Sequence, residues 1–292
     1  MAEEHSSAIY CIIIAIPIMD KRIGIYMSRK IGILGVQVGL TADKHDNLMR
    51  AINLIEEACE NYNKIDLVCM PELFYSNPTK ENRGFIGEHL DSEFFYEFSD
   101  CAKRHHINII TGSYPLINGE KLCNTLLCIN RNGELIGEYS KTHLFDAYAL
   151  KESDAINPGD SLGVFDFDFG RVGTAICYEL RFSDYLRTLS LKDIDLLAVP
   201  AAFYTPRNDA WDILVSSAAL GNLQYVLAVN QYSSQCFGRS CIVDPCGIIT
   251  AKASDKETTV YDLIDLDYQK AIREQVLSYK NRRPELYDLK TR

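Results

Sequence analysis

Gly170 to Phe182 reads G-R-V-G-T-A-I-C-Y-E-L-R-F. Val172 to Ile176 is small and apolar, the signature of a buried strand. The run ends on the thiol of Cys177, and polar residues follow at once. Ser183 is placed to cap a helix that continues through Tyr185, Leu186 and Leu189. A strand that stops on a nucleophile just before a helix sets that nucleophile on a sharp turn at the sheet edge. The positive helix end is then expected to favour the thiolate.

The same arrangement recurs twice upstream. Glu72 follows Leu67-Val68-Cys69-Met70-Pro71, and Lys141 follows the strand candidate Leu135 to Ser140. Side chains just beyond strand ends converge in α/β folds, where ligands sit outside the carboxyl edge. A carboxylate, an ammonium and a thiol brought together form an acyl-transfer kit. The carboxylate takes the thiol proton, the thiolate attacks a carbonyl, and the ammonium stabilises the oxyanion. Taken singly, each residue has a plainer reading: a core thiol, a solvated loop carboxylate, a loop lysine. Their joint occurrence is what carries the chemistry.

The flanking sequence supplies the layers. Strand candidates are Ile31 to Val38, Ile65 to Met70, Ile107 to Gly112 and Leu122 to Ile129, the last turned by Arg131-Asn132-Gly133 into Glu134 to Tyr139. Further on come Leu196 to Val199, Tyr225 to Asn230, Ser240 to Val243, Ile248 to Ala251 and Thr259 to Leu266. Helices are predicted from a cap at Thr41 or Asp43 to Cys59, from Ser92 or Glu93 to Arg104, and over Ala210 to Leu223. Strands, helices and hairpins are mixed throughout, which predicts a layered α/β sandwich. The charged tail from Tyr279, with Arg282, Arg283 and Tyr287, lacks a core pattern and reads as an arm lying across a partner subunit.

Composition narrows the class. The 292 residues are 47% hydrophobic and carry a net charge of −10, with no basic stripe for nucleic acid. The 10 cysteines form no C-x-x-C pair and mostly lie in apolar runs, which fits a reduced, cytoplasmic setting. Ala8 to Met19 is uncharged and apolar, but a bilayer span needs ~20 residues. Glu3 and Glu4 precede it, where a signal peptide carries positive charge. Residues 1–30 therefore read as an N-terminal extension outside the core fold, with an organellar or signal role as the second reading. Residues 31–292 read as one domain, with no membrane span.

Three segments carry a family resemblance. Pro71-Glu72-Leu73-Phe74, Tyr139-Ser140-Lys141-Thr142-His143-Leu144-Phe145-Asp146 and Gly173 to Phe182 resemble, in order, the signature motifs of the carbon–nitrogen hydrolase (nitrilase) superfamily. Further echoes lie at Pro158-Gly159-Asp160, Trp211, Gly238-Arg239-Ser240 and Asp244-Pro245-Cys246-Gly247. The resemblance implies a four-layer α-β-β-α sandwich that dimerises into an eight-layer assembly. It also implies a Glu–Lys–Cys triad of Glu72, Lys141 and Cys177, working without a cofactor or metal on a small-molecule amide and water. Within the superfamily, K-T-H-L-F-D and C-Y-x-x-R-F resemble the ω-amidase branch, which hydrolyses the terminal amide of α-ketoglutaramate. Its relative, the deaminated-glutathione amidase, is the alternative, and Phe145 favours the former. A second glutamate of this branch falls on Glu152, expected to position Lys141 or the amide nitrogen. Tyr178 offers a backbone N–H to the oxyanion hole. Arg181, four residues beyond the thiol, is the natural partner of a substrate carboxylate, or else pairs with Glu179 or Asp184. The chain departs from the family pattern at Cys246, where an aromatic is usual, and at Ala218-Ala219-Leu220-Gly221-Asn222, which lacks the usual Arg and Glu.

Rival chemistries fit less well. All six histidines precede Cys177, so the papain order is absent. No H-E-x-x-H is present, and His105-His106 are adjacent, which suits no single helix or strand face. A catalytically idle dimeric interaction module would share the fold, but the triad is complete.

Overall fold

The computed structural model describes residues 28–287; of the N-terminal extension expected over residues 1–30, residues 1–27 lie outside them. In chain order the strands are β1 (Lys30–Gln37), β2 (Leu67–Cys69), β3 (Asn108–Asn118), β4 (Lys121–Ile129), β5 (Leu135–Ser140), β6 (Asp146–Ala147), β7 (Leu150–Lys151), β8 (Val164–Phe167), β9 (Gly170–Thr174), β10 (Leu196–Ala201), β11 (Tyr225–Asn230), β12 (Cys241–Val243), β13 (Ile249–Lys252) and β14 (Thr258–Asp265). The helices are α1 (Lys44–Asn61), α2 (Glu93–His105), α3 (Ser183–Ser190), α4 (Asn208–Asn222) and α5 (Leu266–Gln275). Two six-stranded sheets run β14-β1-β2-β3-β4-β5 and β13-β12-β11-β10-β9-β8, and β6 and β7 form a small separate pair.

The strands are apolar on both faces because both faces are covered. Along β1, β2 and β4 successive side chains alternate between two cores. Ile33, Leu67, Cys69, Leu126 and Cys128 face the second sheet. Leu34, Val68 and Leu127 pack instead under α1 and α2, against Leu48, Ile52, Ile55, Phe94 and Phe98. On the second sheet, Leu186 and Leu189 of α3 and Trp211 and Val215 of α4 join the same core as Val199 and Leu227. The result is helix, sheet, sheet, helix. Among the described residues no helix is long and apolar enough to cross a membrane.

Parallel pairing places the site. β1, β2 and β3 are mutually parallel, as are β9, β10 and β11. β4 is antiparallel to both β3 and β5, so β5 points the same way as β2 and β3. The residues that follow β2, β5, β9 and β10 (Glu72, Lys141, Cys177 and Ala202) line one cavity.

One local expectation is corrected and two elements are added. Asp43 does cap α1, accepting from the Asp46 N–H at 3.1 Å. Ser183, by contrast, is the first residue of α3, not its cap, because a 3₁₀ turn over Cys177–Arg181 runs directly into the helix. β8, unmarked in the sequence, is a half-exposed edge strand with Asp166 between Phe165 and Phe167. α5 is unmarked too, since it is polar and buries little beyond Leu266 and Gln269. The tail from Tyr279 also begins against its own chain. The Tyr279 hydroxyl meets Ser190 and the Asn222 carbonyl, and its ring lies between Arg187 and Arg273.

The outlying motif residues serve packing. The Trp211 indole N–H donates to the Arg239 carbonyl at 3.0 Å, and Gln37 Oε1 accepts from the Ser240 N–H at 2.9 Å. Cys246, where the pattern departs, sets its sulfur 3.4 Å from the Tyr268 hydroxyl.

Candidate active site

Glu72 enters the site through a distorted piece of backbone. Leu73, immediately after it, has φ +50°, and Gly112 on the neighbouring β3 has φ +66°. A Cβ on Gly112 would stand 2.1 Å from the Pro71 carbonyl oxygen. Only glycine permits that approach. It coincides with a register shift in β3 and lets Glu72 bridge to Ser113. Gln231 fixes Glu72 from the other sheet, donating to its carbonyl at 2.7 Å.

Lys141 leaves the end of β5 and is 2% exposed, while Glu72 is 3% exposed. Its Nζ donates to Glu72 Oε1 at 2.7 Å and to Glu152 Oε2 at 2.9 Å. Glu152 returns to the site on the loop after β7, and accepts from the Phe145 N–H at 2.6 Å. Gly159 of the P-G-D segment anchors the same loop, its N–H donating to the Lys141 carbonyl at 2.8 Å. An ammonium this buried holds its charge only if paired. Burial alone would pull the lysine pKa down; the charges of Glu152 and then Glu72 outweigh it and hold the group well above the lysine range.

Cys177 opens the 3₁₀ turn after β9 at φ +52°. A non-glycine residue there stores backbone strain, which recurs at functional turns. The Glu72 carboxylate and the Ala202 N–H both lie near enough to bear on the ionisation of the thiol. That N–H also donates to Glu72 Oε2 at 2.9 Å. The expectation of a thiol acidified by a helix end is corrected. Burial pushes the Cys177 pKa well above the ordinary value, the Glu72 charge adds to this, and Lys141 offsets it only in part. The resting residue is a protonated thiol facing a carboxylate.

One buried carboxylate organises the turn from below. Glu179 accepts from the Ile176 N–H at 2.7 Å, the Thr142 N–H at 3.0 Å, and the hydroxyls of Tyr139 and Thr142, each at 2.7 Å. It ties the residue before Cys177 to the residue after Lys141. Its pKa is lowered: burial opposes ionisation, but His143, the Ile176 N–H, Thr142 and Tyr139 outweigh it.

The triad lies at the floor of a cavity of about 410 Å³. Tyr178, Arg181, Phe145, Phe203 and Tyr204 line it above Cys177. Arg181 is exposed, and its guanidinium stands 6.0 Å from the centre of the Phe203 ring. Among the described residues it forms no ion pair with Glu179 or Asp184; Glu179 is wholly occupied by the donors above.

All six residues singled out from sequence therefore border one space. Sequence reasoning missed Asn124, which is fully buried and donates to Glu72 Oε1 at 2.9 Å and Glu152 Oε1 at 3.1 Å. An amide inside the apolar run Leu122 to Ile129 was the available signal, since a buried polar group requires partners. It also missed Ala202 to Arg207, which follow β10 just as Cys177 follows β9.

Comparison with known proteins gives the family. The carbon-nitrogen hydrolase family model matches residues 30–274. Omega-amidase NIT2 of Homo sapiens is 34% identical over 263 residues, covering 86% of this chain and 95% of that protein. Nitrilase homolog 2 of Dictyostelium discoideum is 32% identical, covering 87% of this chain and 81% of its own length. The crystal structure of Saccharomyces cerevisiae Nit3, a member of branch 10 of the nitrilase superfamily, superposes with a TM-score of 0.80 at 30% identity, covering 87% of this chain and 97% of that one. The chain belongs to the carbon–nitrogen hydrolase family.

Proposed function

We propose that this chain is a thiol amidohydrolase of the ω-amidase type. Its substrate is a small amide bearing a distal carboxylate, such as α-ketoglutaramate, and its products are ammonia and the dicarboxylate. The observation that carries the reading is one cavity lined together by Cys177, Arg181 and Glu72, with Glu72 itself paired to Lys141 at 2.7 Å. The omega-amidase names of the relatives support the substrate class.

Glu72 takes the thiol proton as Sγ attacks the amide carbon. Lys141 and the Tyr178 N–H stabilise the oxyanion. The tetrahedral species collapses as the C–N bond breaks, and Glu72 returns the proton to the departing ammonia. Water, deprotonated by Glu72, then attacks the thioester; the C–S bond breaks, and the proton passes back to Sγ. Lys141 stays an ammonium throughout because Glu152 remains beside it when Glu72 is neutral. Arg181 takes the substrate carboxylate.

The remaining readings follow the same resemblance. Residues 31–292 form the hydrolase domain, working in a reducing cytoplasm; each cysteine among the described residues is a free thiol. The chain pairs into an eight-layer dimer. Supporting this, Ile213 and Leu220 of α4 are exposed, as is Ile248 next to the turn that packs on Leu220.

Ammonia release from α-ketoglutaramate tests the function, with Cys177→Ala as control. The reading requires turnover by the native chain, none by the variant, and an acyl adduct on Cys177 by mass spectrometry. An adduct on another cysteine would overturn the nucleophile, and an inert native chain would favour the idle interaction module.

A further inference from the structure

Arg181 is not the only cation on the cavity wall. Arg207 lines the same space, with Phe145 and Tyr204. Its guanidinium stands 4.9 Å from the centre of the Tyr148 ring, 5.6 Å from that of Phe145 and 6.0 Å from that of Tyr204. Among the described residues it makes no salt bridge. Glu72 and Glu152 are committed to Lys141 and Asn124. Glu81 and Asp154, the other carboxylates on the wall, pair with neither arginine.

The position is unfavourable for stability alone. Arg207 occupies the N-cap of α4, with no side-chain cap bond. Ser, Thr, Asp or Asn there would satisfy a helix N–H, and a positive charge faces the positive end of the helix dipole. Aromatic faces orient a guanidinium but do not neutralise it. Arg207 is thus a half-buried, pre-oriented cation without a counter-ion among the described residues, on the wall of the cavity that holds the reacting groups. The cavity, at about 410 Å³, also exceeds what a five-carbon amide fills.

We propose that Arg207 is a second anion-binding residue of the active site, so that the preferred substrate is a small amide carrying two acidic groups, one held by Arg181 and the other by Arg207. This rests on the amidohydrolase reading above. It makes Arg207 a specificity-determining residue: it acts on substrate binding and leaves the thiol chemistry untouched. Tyr204 links the two regions, because its ring meets Arg207 while its hydroxyl is held un-ionised by burial and by the nearby Cys236, Glu72 and Cys177.

The test compares three amides: succinamate, with one carboxylate; the monoamide of tricarballylic acid, with a second carboxylate on the acyl part; and N-carboxymethyl succinamate (N-succinylglycine), with a second carboxylate on the departing amine. The native chain should show a lower KM for at least one two-acid amide than for succinamate. Arg207→Gln should raise that KM roughly tenfold or more, the scale of a lost charge-assisted hydrogen bond, and raise it far more than the succinamate KM. Arg207→Lys should recover part of the loss. Which two-acid amide responds tells on which side of the scissile bond the second anion sits. An equal effect of Arg207→Gln on all three amides, or none, overturns the proposal; an equal loss with a fall in melting temperature would make Arg207 only a clamp for Phe145 and Tyr148. Failure of the native chain on every amide would instead reject the amidohydrolase reading.

Discussion

The Asn124 side-chain amide donates to Glu72 Oε1 at 2.9 Å, and the same nitrogen lies 3.1 Å from Glu152 Oε1. Together with Lys141 it forms a double bridge between two carboxylates that would otherwise repel. Asn124→Leu keeps the volume and removes the donors. A hydrogen bond to a charged group contributes ~1.5–3 kcal/mol, so kcat/KM should fall ~10–100-fold. Steady-state ammonia release checks this, with circular dichroism confirming the fold. Near-native turnover would mean that Lys141 alone holds the carboxylates apart.

Legibility in the sequence followed a simple physical line. Glu72, Lys141 and Cys177 stood out as candidates because a polar, reactive residue directly after an apolar run is visible as a break in pattern. Their convergence was not visible, because it depends on the antiparallel β4 turning β5 to point with β2 and β3. Asn124 lies inside a strand, and its partners come from loops 52 and 28 residues away. Arg207 belongs to the loop after β10, which has no motif to mark it. The direction of the Cys177 shift was misread for a related reason: sequence shows that a helix follows the thiol, but not that the thiol is buried against Glu72. β8 and α5 escaped because one is an edge strand and the other a polar surface helix, and neither has a strong hydrophobic period.

The protonated resting thiol gives a spectroscopic prediction. Burial and then the Glu72 charge hold the Cys177 pKa above the ordinary thiol value. The thiolate ultraviolet absorbance, taken as the difference between native protein and Cys177→Ala, should therefore appear only at alkaline pH. Glu72→Gln removes the charge and keeps the shape, so the midpoint should move down. Hydrolysis should move the opposite way, with a loss of ~10²–10⁴ as general-base help disappears. A thiolate already present at neutral pH in the native protein would replace the general-base step with a standing ion pair. Near-normal hydrolysis by Glu72→Gln would remove Glu72 as the base.

Backbone geometry predicts a distant loss at Gly112. With φ at +66° and the Pro71 carbonyl oxygen 2.1 Å from an added Cβ, alanine can enter only if Pro71 and Glu72 move. Neither neighbour is a flexible side chain. Gly112→Ala should cost ~1–3 kcal/mol of stability, the range for a strained backbone residue. It should also lower kcat at least roughly tenfold, because a displacement of about 1 Å at a reacting group is enough for that. Urea denaturation and turnover measure the two effects. Loss of stability with intact kcat would show that Glu72 keeps its place through Gln231, Asn124 and Ala202 alone.

Glu179 predicts the acid limb of stability. The carboxylate is fully buried, and its hydrogen bonds lower its pKa below the usual carboxylate value. A group whose folded pKa is depressed binds protons more weakly in the native state than in the unfolded one. Its stabilisation is therefore complete above the unfolded pKa and is lost as pH falls through the lower, folded value. Glu179→Gln removes that proton linkage. Its amide can still accept from some of the donors, but presents an NH₂ to others, so stability near neutral pH should fall by ~1–3 kcal/mol. Between the unfolded and folded pKa values the native protein should lose stability more steeply than the variant, and the two curves should draw together at the acid end. Urea midpoints measured from neutral pH downward resolve the slopes. Parallel curves would show that the Tyr139, Thr142 and Ile176 donors stabilise a neutral acceptor as well as an ionised one, and that Glu179 fixes the Cys177 turn by shape alone.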